Sequence, residues 1–412
     1  MAVTGHFQGT TDFGDGLVSS YVHPSLGATR DIFVAEYSPS GGYLWKRVLG
    51  GDSSEEGKGI ATDATDNVLV TGYQGSYVVD YGGGPQYSQS YNDIFIAKYS
   101  SAGSWVWSKT IGGYGYDQGN AIAADDAGNV FVTGYIGKGA VSDIGVNFGG
   151  GALYSAGLSD VFLVKYAATG GHVWSKRFGS TGTELGMAVG TDGSGNVIVA
   201  GTFEGSVDFG GGALTSAGVR DIFVAKYSGT GQHLWSKRFG GSGDEVINGL
   251  AVDSAGDVAL TGKFQGSVSF GGGTLASAGG DDAFVVKLSS SAGAHAWSKG
   301  FGSTGQDITT GVAVDGSDNV VITGQFSGTV AFGGGALSSL GVDVFAAKYT
   351  SAGAHRWSRS FGGASTQIGI AVAAAPTGDV TLTGLFLQTV DFGTGMLTSA
   401  GSFDASLAGI GP

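Results

Sequence analysis

Short runs of aromatic and β-branched residues, separated by Gly, Ser, Asp and Asn, pattern the whole chain. In residues 221–281 four such runs follow one another: DIFVAKYS, HLWSKRFG, NGLAVD and DVALTGKF. Side chains of this kind suit a pleated, half-buried surface. The last two runs are joined by Ser-Ala-Gly, a tight-turn composition. No stretch sustains an apolar period of 3.6 residues, so helix is predicted to be a minor component.

The set of four runs recurs along the chain. Asp-x-Phe-x-x-Lys-Tyr and its variants begin at Asp31, Asp93, Asp160, Asp221, Asp282 and Asp343, with a degenerate copy at Asp404. A Trp follows in each full unit, at Trp45, Trp107, Trp174, Trp235, Trp297 and Trp357. One step is longer than the others and carries its extra residues in a glycine-rich stretch near 137–150. Such constancy leaves no room for an inserted domain. Four short strands per unit, repeated in tandem, predict an all-β fold: a single β-propeller domain over 1–412, built of four-stranded antiparallel blades.

The wording of the unit resembles a bacterial family, the seven-bladed β-propeller repeats called SBBP. Gly249-Leu250-Ala251-Val252-Asp253, Thr261-Gly262, Asp221 to Tyr227 and Trp235-Ser236-Lys237-Arg238-Phe239-Gly240 carry the likeness. It extends over essentially the whole chain. The resemblance implies the fold and brings no assigned chemistry with it.

Strand counting bears on the number of blades. Taking NGLAVD-type runs as innermost, the chain holds seven second strands, starting at 2–5, and seven third strands, ending at 404–409. It holds six innermost and six outermost strands. The expectation is a seven-bladed propeller with 26 of its 28 strands; a six-bladed ring closed near Ile370 is the alternative. On this count Met1 reads as an internal or misassigned start, and a missing upstream segment could have carried a secretion signal or a lipid anchor.

Composition narrows the function classes. Glycine supplies 81 of 412 residues, proline 5 and cysteine none. Collagen, a disulfide scaffold and any cysteine-based metal or redox site are thereby excluded. A net charge of −14 opposes a nucleic-acid partner. No apolar run reaches the ~20 residues that span a bilayer, and residues 1–20 lack the pattern of a signal peptide.

Candidate chemistry is sparse. The Trp residues alternate with Ser and Lys and read as packing between blades, with Trp105 the better candidate for an exposed ring. His172, His233, His295 and His355 each stand two residues before a Trp, where Tyr43 and Trp105 stand in the first units. The interchange fits an aromatic packing slot rather than a metal site. Carboxylates recur before the innermost strands: Glu55 and Glu56, Asp117, Glu184, Asp244 and Glu245, Asp307, then Gln367. In a propeller this link leads toward the channel. Glu56, Asp117, Glu184, Glu245 and Asp307 are therefore candidate ligands for a cation, with calcium the one cofactor considered and solvated loops the competing reading. Gly112 to Asp117 matches the start of a calcium-binding nonapeptide repeat, but no further copies follow. Asp192 to Asn196 and Asp315 to Asn319 resemble an EF-hand start, yet each has Val at the sixth position, where Gly is needed.

The link between second and third strands, such as GSVDFGGGALTSAG at 205–218, predicts an accessory hairpin projecting from one face. Tyr21, Tyr81, Tyr87, Tyr91 and Tyr154 gather in the variant copies and, with Trp105, are the candidate binding residues. No Ser-His-Asp set or isolated carboxylate pair stands out. The expectation is a monomeric, non-catalytic binding or scaffold module of a secreted or surface bacterial protein. Its partner would be a protein or glycan. The alternative is a propeller hydrolase or lyase assisted by a cation.

Overall fold

A computed structural model describes the chain apart from residues 90, 140–143, 394 and 412. The centre of the insertion near 137–150 thus lies outside the described residues. All regular structure among the described residues is β. Seven antiparallel blade sheets make the fold a seven-bladed β-propeller, five sheets having four strands and two having three. The six-bladed alternative is set aside: residues 378–412, which it leaves surplus, supply two strands of the seventh sheet.

Each full sheet places its strands in chain order from inner to outer edge. In the second sheet these are Glu55–Thr62, Val68–Gln74, Asp93–Tyr99 and Trp105–Ile111. The first sheet has Ala2–Gln8, Arg30–Tyr37 and Tyr43–Leu49, and the seventh has Gln367–Ala374, Val380–Phe386 and Asp404–Ile410. The chain divides into two compact units. One comprises Met1–Val199, Phe203–Ala213 and Lys226–His233; the other comprises Ala200–Thr202, Leu214–Ala225 and Leu234–Pro412.

Within the first unit the third strand of the second sheet is buried throughout. Phe95, Ala97 and Tyr99 pack toward the first sheet with Ile32 and Val34, whereas Ile94 and Ile96 pack toward the third with Val132 and Phe162. Period-2 geometry feeds two cores from one strand, so apolar residues run without polar alternation. The second unit repeats this between its fifth and sixth sheets and between its sixth and seventh.

A polar joint ties consecutive blades. Lys98 reaches Asp63 at 2.8 Å in its own sheet and the Ala168 carbonyl at 3.4 Å in the next. The Trp107 indole donates to the same carbonyl. Lys165 and Trp174 share Gly229 in the same way, and in the second unit Lys287 and Trp297 share Ser351. Trp45, Trp107, Trp174, Trp235 and Trp297 are thus joints between blades, as the alternation of these positions with polar residues implies.

The accessory hairpins correct one expectation. They do not stand away from the face but fold back over the outer strand of their own sheet. Val207 and Phe209 are buried, and the Tyr227 hydroxyl donates to the Phe209 carbonyl at 2.7 Å. Gly210, at φ +107°, then lies directly on the His233 ring. A β-carbon would be crowded there, and the positive φ at Gly210 and Gly212 favours glycine at both positions.

Candidate functional site

The end of the sheets where outer strand leads to inner and second leads to third carries the chain's variable chemistry. The recurrent carboxylates sit at this end, and their placement corrects the expectation of a ring open to a cation. Asp117, Glu184, Glu245 and Asp307 are fully buried. Asp117 accepts the amides of Gly113 at 2.7 Å and Gly137 at 2.9 Å; Asp307 accepts those of Ser303 at 2.6 Å and Ser327 at 3.0 Å. Glu184 accepts Ser180 and Glu245 accepts Gly241, each at 2.8 Å. They are clamps that close the link before each inner strand, because a buried backbone N–H left unpaired is costly. The matching clamp in the second sheet is Glu55, bonded to the Gly51 and Ser76 amides, and not Glu56. Burial pushes Glu55 and Glu245 up to about 7. Among the described residues no three His, Asp or Glu side chains converge as metal ligands.

Glu56 stands one residue further on, beside the clamp rather than in it. Its carboxylate meets His6 Nδ1 at 3.1 Å and Lys58 Nζ at 2.9 Å. Burial would raise its pKa, but these two groups hold it at about 2. Tyr73, directly across the ladder from Glu56, is pushed up to about 12 by burial and by Glu56, with Arg30 opposing. His6, Arg30, Glu56, Lys58 and Tyr73 thus form one charged cluster. Equivalent ladder pairs are Gln118 with Tyr135 in the first unit, and Val246 with Lys263 and Ile308 with Gln325 in the second. The scaffold repeats at these positions while the side chains do not. Sequence reasoning passed over His6, Arg30, Lys58 and Tyr73; the signal available was their departure from repeat equivalents.

Exposed aromatic rings lie in the links at this end of the sheets. Tyr91 stacks on Tyr116 with centroids 4.8 Å apart and planes 22° apart, and each residue is 55% exposed. The Asp117 amide bonds the Asn92 carbonyl at 2.8 Å, so the clamped link fixes the spacing of the two rings. Tyr77 and Tyr87 pair at 5.4 Å at the base of the neighbouring hairpin. Tyr21 and Tyr154 are exposed on other hairpins. Tyr81 requires correction as a binding residue: it is fully buried, stacks on Phe95, and donates to Gln74 Oε1 at 3.0 Å. It fills the place that Phe209 holds in a later unit. Trp105, 40% exposed, lies under Gly82 and Gly83 in the slot that histidine fills elsewhere. His172 bonds Ser175 at 3.2 Å and packs edge-on against Tyr166; His233 and His355 pack likewise on Tyr227 and Tyr349. Each histidine is thus a packing group of its own unit.

Comparison with known proteins bears on the unit itself. The family description Beta-propeller repeat, SBBP, matches residues 106–137, from an outer strand through the next inner and second strands. One copy of the repeat thus matches the SBBP β-propeller repeat. Among curated proteins, the chain is 25% identical over 370 residues to an uncharacterized WD repeat-containing protein of Acanthamoeba polyphaga mimivirus. That match covers 74% of the chain and 26% of the relative. It is 26% identical over 172 residues to the regulatory protein FlaEY of Caulobacter vibrioides, covering 40% of the chain and 18% of the relative. The chain therefore spans about a quarter or less of these relatives. Solved structures that it resembles include the quinohemoprotein alcohol dehydrogenase of Comamonas testosteroni. There the TM-score is 0.42 at 11% identity, covering 86% of the chain and 61% of the other. Another is the Pan2 WD40 domain of Neurospora crassa, at TM-score 0.39 and 9% identity, covering 79% and 85%.

Proposed function

We propose that the protein is a non-catalytic interaction module that holds a protein partner on the face bearing the Tyr91–Tyr116 pair. The stacked, half-exposed rings carry this reading. Two large amphipathic side chains are held against each other in fixed geometry, so little side-chain entropy remains to be lost on binding. The name of the mimivirus relative, a WD repeat-containing protein, is in keeping with a scaffold. The cation-assisted hydrolase or lyase has less support, because the recurrent carboxylates are committed to backbone amides. A secreted or surface bacterial location belongs to the same proposal.

The test is selection from a displayed random-peptide library on the folded chain, with the double variant Tyr91→Ala, Tyr116→Ala as counter-target. Recovered peptides should bind the wild type at least about tenfold more tightly. Peptides indifferent to the pair would sink the reading. A glycan array run on both proteins separates a carbohydrate ligand, whose stacking on the same pair would replace a protein partner.

A further inference from the structure

We propose that the free edge of Asp404–Ile410 is the seat of one more outer strand, donated by an unpaired segment of this same repeat type. Asp404–Ile410 pairs with Val380–Phe386 on one side only. Its counterpart in the fifth sheet, Asp282–Leu288, is buried at every position, whereas Ala405 and Gly409 are exposed here. Leu397, in the seventh accessory hairpin, is 45% exposed, while Leu275 of the fifth hairpin lies against the outer strand at Gly300. The strand edge and the hairpin leucine therefore lack the same cover.

Two polar groups say what the cover is. The Trp357 indole N–H is buried with no acceptor among the described residues. Trp297, one blade earlier, gives its N–H to the Ser351 carbonyl at 3.0 Å, in the turn that leads into the next outer strand. Around Trp357 that place is a cleft of about 390 Å³, lined by Lys348, Arg356 and Gly378 among others. Lys348 turns to the Gly378 carbonyl, where Lys287 meets the turn. Asp404 supplies the charge criterion. In the fourth sheet the corresponding Asp221 pairs with Arg238 of the outer strand at 2.7 Å, and in the third Asp160 pairs with Arg177. The occupant is thus an extended segment with a turn, then Trp-Ser-Lys-Arg-Phe-Gly chemistry, added by strand pairing. A folded second copy offers none, because its six outer strands are all paired within their own sheets.

A fluorescent peptide with the sequence of residues 228–241, titrated into the full chain, tests this. Saturable binding is expected, with a rise in melting temperature and no binding of the reversed-sequence peptide. Replacing the peptide's Arg238 by Glu should weaken binding about tenfold. The Asp404→Lys chain should reverse that preference, and Trp357→Phe should weaken the native peptide while leaving the free protein folded by circular dichroism. Absence of saturable binding, equal binding of the reversed peptide, or indifference to the charge exchange would each overturn the proposal.

Discussion

The indole N–H of Trp107 donates to the Ala168 carbonyl at 3.0 Å, joining one blade to the next 61 residues on. The same oxygen receives Lys98, so removing the indole N–H leaves a carbonyl that still has a partner. Trp107→Phe is expected to cost about 1–2 kcal/mol, part hydrogen bond and part packing. Trp357→Phe lacks the hydrogen-bond share, since that N–H has no acceptor among the described residues, and should cost about 1 kcal/mol less. Urea unfolding of the two variants gives the comparison, and equal losses would refute it.

Gly240 ends the outer strand of the fourth sheet directly over Asp221. A β-carbon there would overlap the buried carboxylate, which is already engaged by Arg238 and by the Ala217 amide. Gly240→Ala should destabilise by about 3 kcal/mol or more through that overlap. Gly273, with open space around it, should accept Ala within about 0.5 kcal/mol. Thermal melts of the pair distinguish a steric requirement from a general need for glycine.

Glu245 is raised to about 7, first by burial, against the pull of the Gly241 amide. A folded value above the ordinary 4.5 gives a contribution that is full below about pH 4.5 and lost as pH rises through about 7. The seventh sheet uses Gln367 at the equivalent position, with its amide group directed at backbone carbonyls. Glu245→Gln should therefore flatten the decline and add about 1 kcal/mol at roughly pH 8. Denaturant curves at acidic and alkaline pH measure the difference; an undiminished decline would count against the assignment.

Asp192 moves the other way. Burial raises it, but Lys226 at 2.8 Å and Asn196 at 2.9 Å bring it below the ordinary 3.8. Its contribution is present above pH 3.8 and is lost as pH falls through the lower folded value. Lys226→Met would strand this buried carboxylate, costing about 3–5 kcal/mol, and should move the acid-unfolding midpoint upward. A midpoint that stays in place would show that the pair carries no such role.

At the exposed aromatic pair the expectation is the reverse of a structural role. Tyr91→Ala and Tyr116→Ala together should change unfolding free energy by less than about 1 kcal/mol while abolishing selection of library binders.

Strands, their order and the blade number were legible because one strand feeding two cores must be apolar at every position, and the repeat shows that fact many times over. Tyr81 went astray for an avoidable reason: Asp80-Tyr81-Gly82 stands where other units have Asp-Phe-Gly, so its ring belongs to the core slot of Phe209. Glu55 and Glu56 are adjacent, and composition alone cannot tell the carboxylate that clamps amides from the one that faces His6. The Lys98–Asp63–Ala168 joint escaped notice because its partners come from separate strands and from the following unit. The side chains at Tyr73, Gln118 and Tyr135 lay hidden for the opposite reason, since a search for repetition discards what differs.

Those ladder positions are held in register by main-chain pairing, independently of the side chain each presents. The molecule consequently resembles a printing frame with exchangeable type. A new recognition surface is accessible by rewriting a few letters on one end of the sheets, while the joints and clamps beneath go on specifying the same architecture.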